Sequence, residues 1–336
     1  MTFDRRGIHC YKLLEPQLKV LKGLGVRMIL EKKEEFNKAY GNLLGILNTE
    51  VNTINVHTLM QFYDPPLRCF TFQEYQLAPT MEEYSYILGI RIKNRVPFVC
   101  TKELPKSHII VEAIHLEKKV VELKLKLKRG IHTTFADVGR WMAFNAILAL
   151  LIYGIVLFPN IEDFMDLAVI HIFLTKNLVP TFLANTYYSI HVRTQKKKGT
   201  VICCIPLLSY DNVKLILNYG DFPNVPLIGT KGGINYNHRL ELRQLGYPMV
   251  DKPESKHVED FVLYEWVDNP ELLKKIIKAW REICPQGTTE MGKKNCIAKK
   301  AYTRWVKDMV KEILLSFPSE PSMSIKPSKL NVNPIS

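Results

Sequence analysis

The chain has 336 residues, of which 47% are hydrophobic and 24% charged, enough apolar material for a sizeable core and far from the composition of a disordered chain. Its 46 basic and 33 acidic residues leave a net charge of +13, a surplus that fits polyanion contact, usually nucleic acid and sometimes an acidic membrane surface, and equally a protein that is simply basic. The 7 cysteines are odd in number, irregular in spacing and free of any Cys-x-x-Cys pair, which argues against a disulfide framework and a zinc module and fits a reducing compartment.

In chain order, Met1-Thr-Phe-Asp-Arg-Arg-Gly7 has no apolar signal core behind it, so no signal peptide is expected. Glu34 to Leu47 places Phe36, Tyr40, Leu43, Leu44 and Leu47 at helical spacing and predicts one helix. Cys69–Phe72 and Tyr75–Leu77 read as a small hairpin or a pair of extended segments. Thr80-Met-Glu-Glu83 is a capping box opening a helix whose Met81, Tyr84, Ile87 and Leu88 form an apolar stripe, with Gly89 as its stop. The stretch Leu116 to Leu127 satisfies both a period-two strand and a helical face, and the two readings stay open.

Trp141 to Phe158 carries no charge over 18 residues. That is the lower edge of a membrane span, but Asn145 interrupts it, and a helix apolar all round is what the centre of a helical domain requires. A buried central helix ending at Pro159-Asn160 is therefore expected, and no membrane insertion. Asp166–Leu174 and Thr181–Val192 read as further helices separated by Pro180. The basic loop Arg193–Gly199 leads into the apolar run Val201–Leu208, where Cys203 and Cys204 act as small buried hydrophobes. Residues 221–251 are rich in Pro and Gly and read as a connector. Two helices follow, about Asn269–Ile283 with Pro270 in its first turn, and Ala298–Leu315. From Pro318 onward the composition predicts disorder.

The expected architecture is thus mainly α with a small β-hairpin element: a compact multi-helix globular domain around a central buried apolar helix. Its divisions are a helical extension 1–50, a helical core 51–220, a connector 221–251, a basic helical subdomain 252–317 and a disordered tail 318–336.

Catalytic constellations are absent from the sequence pattern. There is no Gly-x-Ser-x-Gly elbow, and Ser189 with His191 is only a local polar pair. Gly229-Thr-Lys-Gly-Gly233 lacks the order of a phosphate loop and reads as a turn. His9-Cys10, His108 and His115 have no metal-ligand spacing. A carboxylate-type transposase would need a metal-holding triad, and Asp163, Asp166, Asp211 and Glu241 show no spacing that singles one out. No enzyme activity, metal or cofactor is expected.

The remaining signal is charge. Between Glu271 and Leu315 lie 11 basic and 5 acidic residues, a balance of +6. The basic ones are Lys274, Lys275, Lys278, Arg281, Lys293, Lys294, Lys299, Lys300, Arg304, Lys307 and Lys311, with Trp280, Tyr302 and Trp305 interleaved. The cations are candidates for nucleic-acid contact. The aromatics fit either a stacking platform or the apolar faces of two helices, the commoner use.

Leu59-Met-Gln-Phe-Tyr-Asp-Pro65, Cys69-Phe-Thr-Phe72 and Pro79-Thr-Met-Glu-Glu-Tyr84 through Leu88-Gly-Ile90 together resemble the opening of the plant mobile domain. Ala149–Gly154, Leu157–Asn160, Tyr187–His191, Asn235–Asn237, Leu242–Pro248, Lys294–Ala298 and Trp305-Val306 extend the resemblance over roughly residues 50 to 317, closest to a legume-expanded branch. Ser209-Tyr-Asp-Asn212 departs from it, standing where related sequences carry a tryptophan-centred cluster. The resemblance implies a transposon-associated domain without established catalytic residues. An aminotransferase-like label borne by some relatives has no support here, since a Schiff-base lysine, a pyridinium partner and a phosphate cradle cannot be picked out. The expected function is a non-enzymatic, transposon-derived interaction module in the nucleus, contacting nucleic acid weakly and without sequence preference, or working through nuclear protein partners. The alternatives are a metal-dependent, transposase-like nucleic-acid-processing enzyme and a mobile-element remnant without a selected function.

Overall fold

The structure is a computed structural model and describes residues 11–14, 16, 18–65, 67–72, 76–93, 105–116, 141–159, 167–196, 198–208, 225–236, 262–263, 270–281 and 297–312. Helices dominate these residues, and strands are confined to three small sheets. The stretch read both ways lies outside the described residues from 117 to 127, and so does the tail 318–336.

Strand β1 (Tyr11–Leu13) precedes α1 (Lys19–Arg27), α2 (Leu30–Tyr40) and α3 (Leu43–Asn48). The single helix expected over Glu34–Leu47 is therefore two. The break falls at Gly41, whose φ of 75° suits glycine, and a Cβ there would collide with the Leu88 carbonyl oxygen. That carbonyl accepts from the Asn42 backbone N–H at 2.6 Å, while Asn42 Nδ2 donates to Ile87 O at 3.1 Å. A tertiary partner 45 residues away thus ends a helix that the local pattern would continue.

Helix α4 (Thr53–Met60) leads into β2 (Tyr63–Asp64), β3 (Cys69–Thr71) and β4 (Gln76–Leu77). The expected hairpin is present, with Phe70 opposite Leu77, and β2 enlarges it to three antiparallel strands. Helix α5 (Met81–Leu88) opens on the complete capping box, with Thr80 Oγ1 accepting from Glu83 N and Glu83 Oε2 accepting from Thr80 N, both at 2.9 Å. It stops at Gly89 in the left-handed region. Helix α6 (Ser107–Ala113) follows.

Helix α7 (Trp141–Ile152) is the expected central helix, buried from Ala143 to Ile152. It widens into a π-turn over Tyr153–Leu157, closed by Phe158 N donating to Tyr153 O at 2.8 Å. Pro159 then removes the next donor. No helix among the described residues is long and apolar enough to cross a membrane.

Helices α8 (Leu167–Thr175) and α9 (Leu178–Lys196) are separated at Lys176 and Asn177, not at Pro180 as expected. Pro180 sits in the first turn of α9, where a missing N–H costs nothing. Lys176 adopts φ 51°, and Asn177 holds the break by accepting from Lys93 N at 3.1 Å and donating to Lys93 O at 3.2 Å. Helix α9 is the hub. Its residues Leu178–Tyr187 are all buried, and α5, α8, β2 and the remaining small sheets pack on it.

Strand β5 (Gly199–Val201) pairs in parallel with β1, Tyr11 opposite Gly199, and leads to α10 (Ile205–Leu208). The described part of the expected connector is ordered structure: β6 (Val225–Ile228) and β7 (Gly233–Tyr236) form a hairpin extended by β8 (Val262–Leu263). Leu227, Ile228, Ile234 and Tyr236 are at most 2% exposed, so this hairpin is part of the core. Gly229 N donates to Gly232 O at 2.8 Å, making Gly229–Gly233 the expected turn. Helices α11 (Pro270–Arg281) and α12 (Lys300–Glu312) follow. One contiguous apolar cluster runs from Tyr11 to Trp280.

Candidate nucleic-acid interface

Helix α11 alternates apolar pairs and cations, and its described side chains sort by kind onto buried and exposed sides. Ile276 and Trp280, four residues apart, are buried at 3% and 1% exposure. Lys274, Lys278 and Arg281, at positions i, i+4 and i+7, are exposed. Glu271 accepts from Lys274 Nζ at 2.9 Å, an exposed pair of the kind that adds little to stability.

Helix α12 repeats the arrangement. Tyr302 and Val306 are each 1% exposed, and Trp305 is half-buried beside Tyr302 with ring centroids 5.7 Å apart. Lys300, Arg304 and Lys307 are exposed at i, i+4 and i+7, with Lys299 exposed just ahead of the helix. Lys300, Arg304 and Lys307 line one open depression with Ala298, Thr303 and Asp308, so three cations meet a single carboxylate there.

Of the candidate contacts, Lys275 and Lys311 lie within α11 and α12, while Lys293 and Lys294 lie outside the described residues. The interleaved aromatics face inward: Trp280 belongs to the main core and Trp305 packs against it. Trp280 and Tyr302 are thereby closed to stacking, while Trp305 stays half-buried. Sequence left both uses of the aromatics open, because one spacing serves a core face and a base-stacking face alike.

The other constellations are structural where they are described. Ser189 Oγ accepts from Ile202 N at 2.8 Å, and His191 is buried edge-on to Tyr63 with centroids 6.5 Å apart. Positions i and i+2 on a helix do not face each other, so the pair is no nucleophile and base. Cys203 is buried and its thiol is pushed up to about 12 by desolvation, against a smaller lowering from Lys231, which leaves it protonated at neutral pH. Among the described residues no group of three or more His, Cys, Asp and Glu is placed to hold a metal ion. Asp163, Asp166, Asp211 and Glu241 lie outside them.

Sequence reading missed a buried polar group at the β2–β3 turn. Asp64 and Arg68 are each 2% exposed, Asp64 Oδ1 accepts from Leu67 N at 3.3 Å, and Arg68 N donates to Asp64 O at 2.7 Å. Desolvation lifts the Asp64 carboxyl to about 6, opposed by the Leu67 hydrogen bond and the Arg68 charge. Arg68 takes φ 56° to make the turn, a conformation no composition rule reveals.

The model of a family described as Domain of unknown function (DUF7745) matches residues 21–210 and 208–311, and the chain belongs to that family. No curated protein and no solved structure matches the chain.

Proposed function

We propose that this chain is a non-enzymatic interaction module of the nucleus, transposon-derived as its resemblance to the plant mobile domain implies, that contacts nucleic acid through α11 and α12. The observation that carries the reading is the sorting of the two helices: Lys274, Lys278, Arg281, Lys300, Arg304 and Lys307 are exposed while Trp280 and Tyr302 are buried. Contact of this kind neutralises phosphates and releases counterions, and it reads no base edges. It is weak, indifferent to sequence and steeply weakened by salt.

Fluorescence anisotropy with a labelled random duplex, from low to physiological salt, tests the proposal. Replacing Lys300, Arg304 and Lys307 with glutamine lowers the slope of log K against log salt by about 2 to 3, roughly 0.9 per lost duplex contact. Single strands, whose charge density is lower, show a shallower slope, about 0.7 per contact. No binding at low salt, or a slope unmoved by the triple substitution, would overturn the reading and leave protein partners as the role of the module.

A further inference from the structure

We propose that the elbow between α1 and α2 is where two copies of this chain meet, related by a two-fold axis. Helix α1 and the residues just after it are apolar on both sides. Leu21, Leu24, Gly25 and Met28 are buried, while Val20, Val26, Ile29 and Leu30 stand between 60% and 73% exposed within one short stretch of chain. Single apolar residues scattered over a surface need no explanation, but a group of four on one elbow marks an interaction surface.

Gly23 supports the same reading. It is exposed on α1 between Val20 and Val26, and a Cβ built there would meet nothing within 4 Å. Glycine weakens a helix interior relative to alanine, and here the open space gives the single chain no packing reason for it. Gly25 shows the contrast, since a Cβ there would stand 3.3 Å from the Leu44 side chain. Close approach of a second backbone gives Gly23 a reason of that kind.

Charge selects the occupant. Before the elbow, α1 carries Lys19, Lys22 and Arg27 and no carboxylate. After it, Glu31 and Glu34 are exposed, whereas Lys32 and Lys33 are half-buried and Lys32 Nζ donates to Glu35 Oε1 at 2.7 Å. Among the described residues Lys19, Lys22, Arg27, Glu31 and Glu34 have no ion-pair partner, although Arg27 and Glu31 are only four residues apart. The order cation, apolar, anion is its own complement when reversed. A two-fold axis near Ile29 therefore sets Arg27 of each copy against Glu31 of the other, around an apolar centre of Ile29 and Leu30. An anionic membrane or an acidic partner would match α1 but meet the carboxylates of α2, and a second copy matches both halves.

The net charge of +13 opposes association, so the test is run at physiological ionic strength, where charges more than about 8 Å apart are screened and close pairs are not. Sedimentation velocity of the full chain over a rising concentration series shows a reversible monomer–dimer equilibrium. Leu30→Asp and Gly23→Leu, both at exposed positions, weaken it about tenfold or more with an unchanged circular dichroism spectrum. Arg27→Glu and Glu31→Arg each weaken it likewise by setting like charges together. An equimolar mixture of these two single variants regains the dimer, because each supplies the charge that the other lacks, a rescue specific to two copies in two-fold contact. Wild-type protein that stays monomeric at the highest concentration would overturn the proposal, and its flotation with phosphatidylserine vesicles would then make the elbow a membrane contact. A dimer that survives Leu30→Asp, or a mixture that remains monomeric, overturns it as well and places the contact elsewhere.

Discussion

The start of α5 offers a clean dissection of a buried helix cap. Thr80 is fully buried, its hydroxyl accepts from Glu83 N at 2.9 Å, and Glu83 Oε2 returns the bond to Thr80 N at 2.9 Å. The same end is held by two distant tyrosines: Tyr236 Oη accepts from Met81 N at 3.3 Å, and Tyr187 Oη donates to Pro79 O at 2.8 Å. Replacing Thr80 with valine keeps the γ-methyl and the shape but leaves the Glu83 N–H without an acceptor. An orphaned buried donor costs about 1–3 kcal/mol, and loss of an N-cap typically about 1, so about 1–3 kcal/mol is expected. Serine keeps the oxygen and loses one methyl, about 0.8 kcal/mol by transfer and somewhat more if a cavity remains. Urea denaturation followed by far-ultraviolet circular dichroism measures both from the shift in midpoint at constant m-value. The decisive quantity is the order. Valine falling at or above serine in stability would mean that the cap oxygen contributes little and that the site is held by packing alone.

Three further outcomes follow from the core and its turns. Leu148, 1% exposed in α7, loses about 2–5 kcal/mol on Leu148→Ala in the same urea experiment, and a loss under 1 kcal/mol would place this helix away from the core. Gly41→Ala destabilises by more than the 1 kcal/mol of an ordinary glycine replacement, because a left-handed φ of 75° adds to a collision with the Leu88 carbonyl; a stabilised variant would mean that α2 and α3 can run on as one helix. The Asp64 carboxyl sits at about 6 in the fold against 3.8 when solvated, so the folded state holds its proton more tightly. Its contribution to stability is therefore greatest below pH 4 and is lost as pH rises towards 6 and just above. Between pH 3 and 8 the stability difference between wild type and Asp64→Asn should shift by about 3 kcal/mol in favour of asparagine, at 1.36 kcal/mol per pH unit, and a flat difference curve would refute a buried titrating carboxyl.

Much of this protein was readable because the responsible forces are local. The capping box at Thr80, the stop at Gly89 and the Pro270 start of α11 depend on neighbours within a turn, and each lies in the structure where the sequence places it. The charge-free run of α7 could only be a buried or a membrane helix, since no surface position tolerates so wide an apolar face. The family match spans most of the chain, yet it names no chemistry that residue patterns had left undecided.

What escaped was set by partners distant in the chain. Gly41 breaks a helix because Leu88 approaches it, and Pro180 is harmless because Asn177, tied to Lys93, starts α9 just before it. The Pro- and Gly-rich stretch looked like a linker, but its 225–236 hairpin is buried on α9, a packing that no local propensity encodes. Helical periodicity showed that α11 and α12 have an apolar and a basic face. Only the tertiary core could decide that Trp280 and Tyr302 turn inward, because burial is a property of what packs against a face and not of the face itself. The same reason hid the clasp of the β6–β7 turn on α9, where Asn185 bonds Thr230 from 45 residues away.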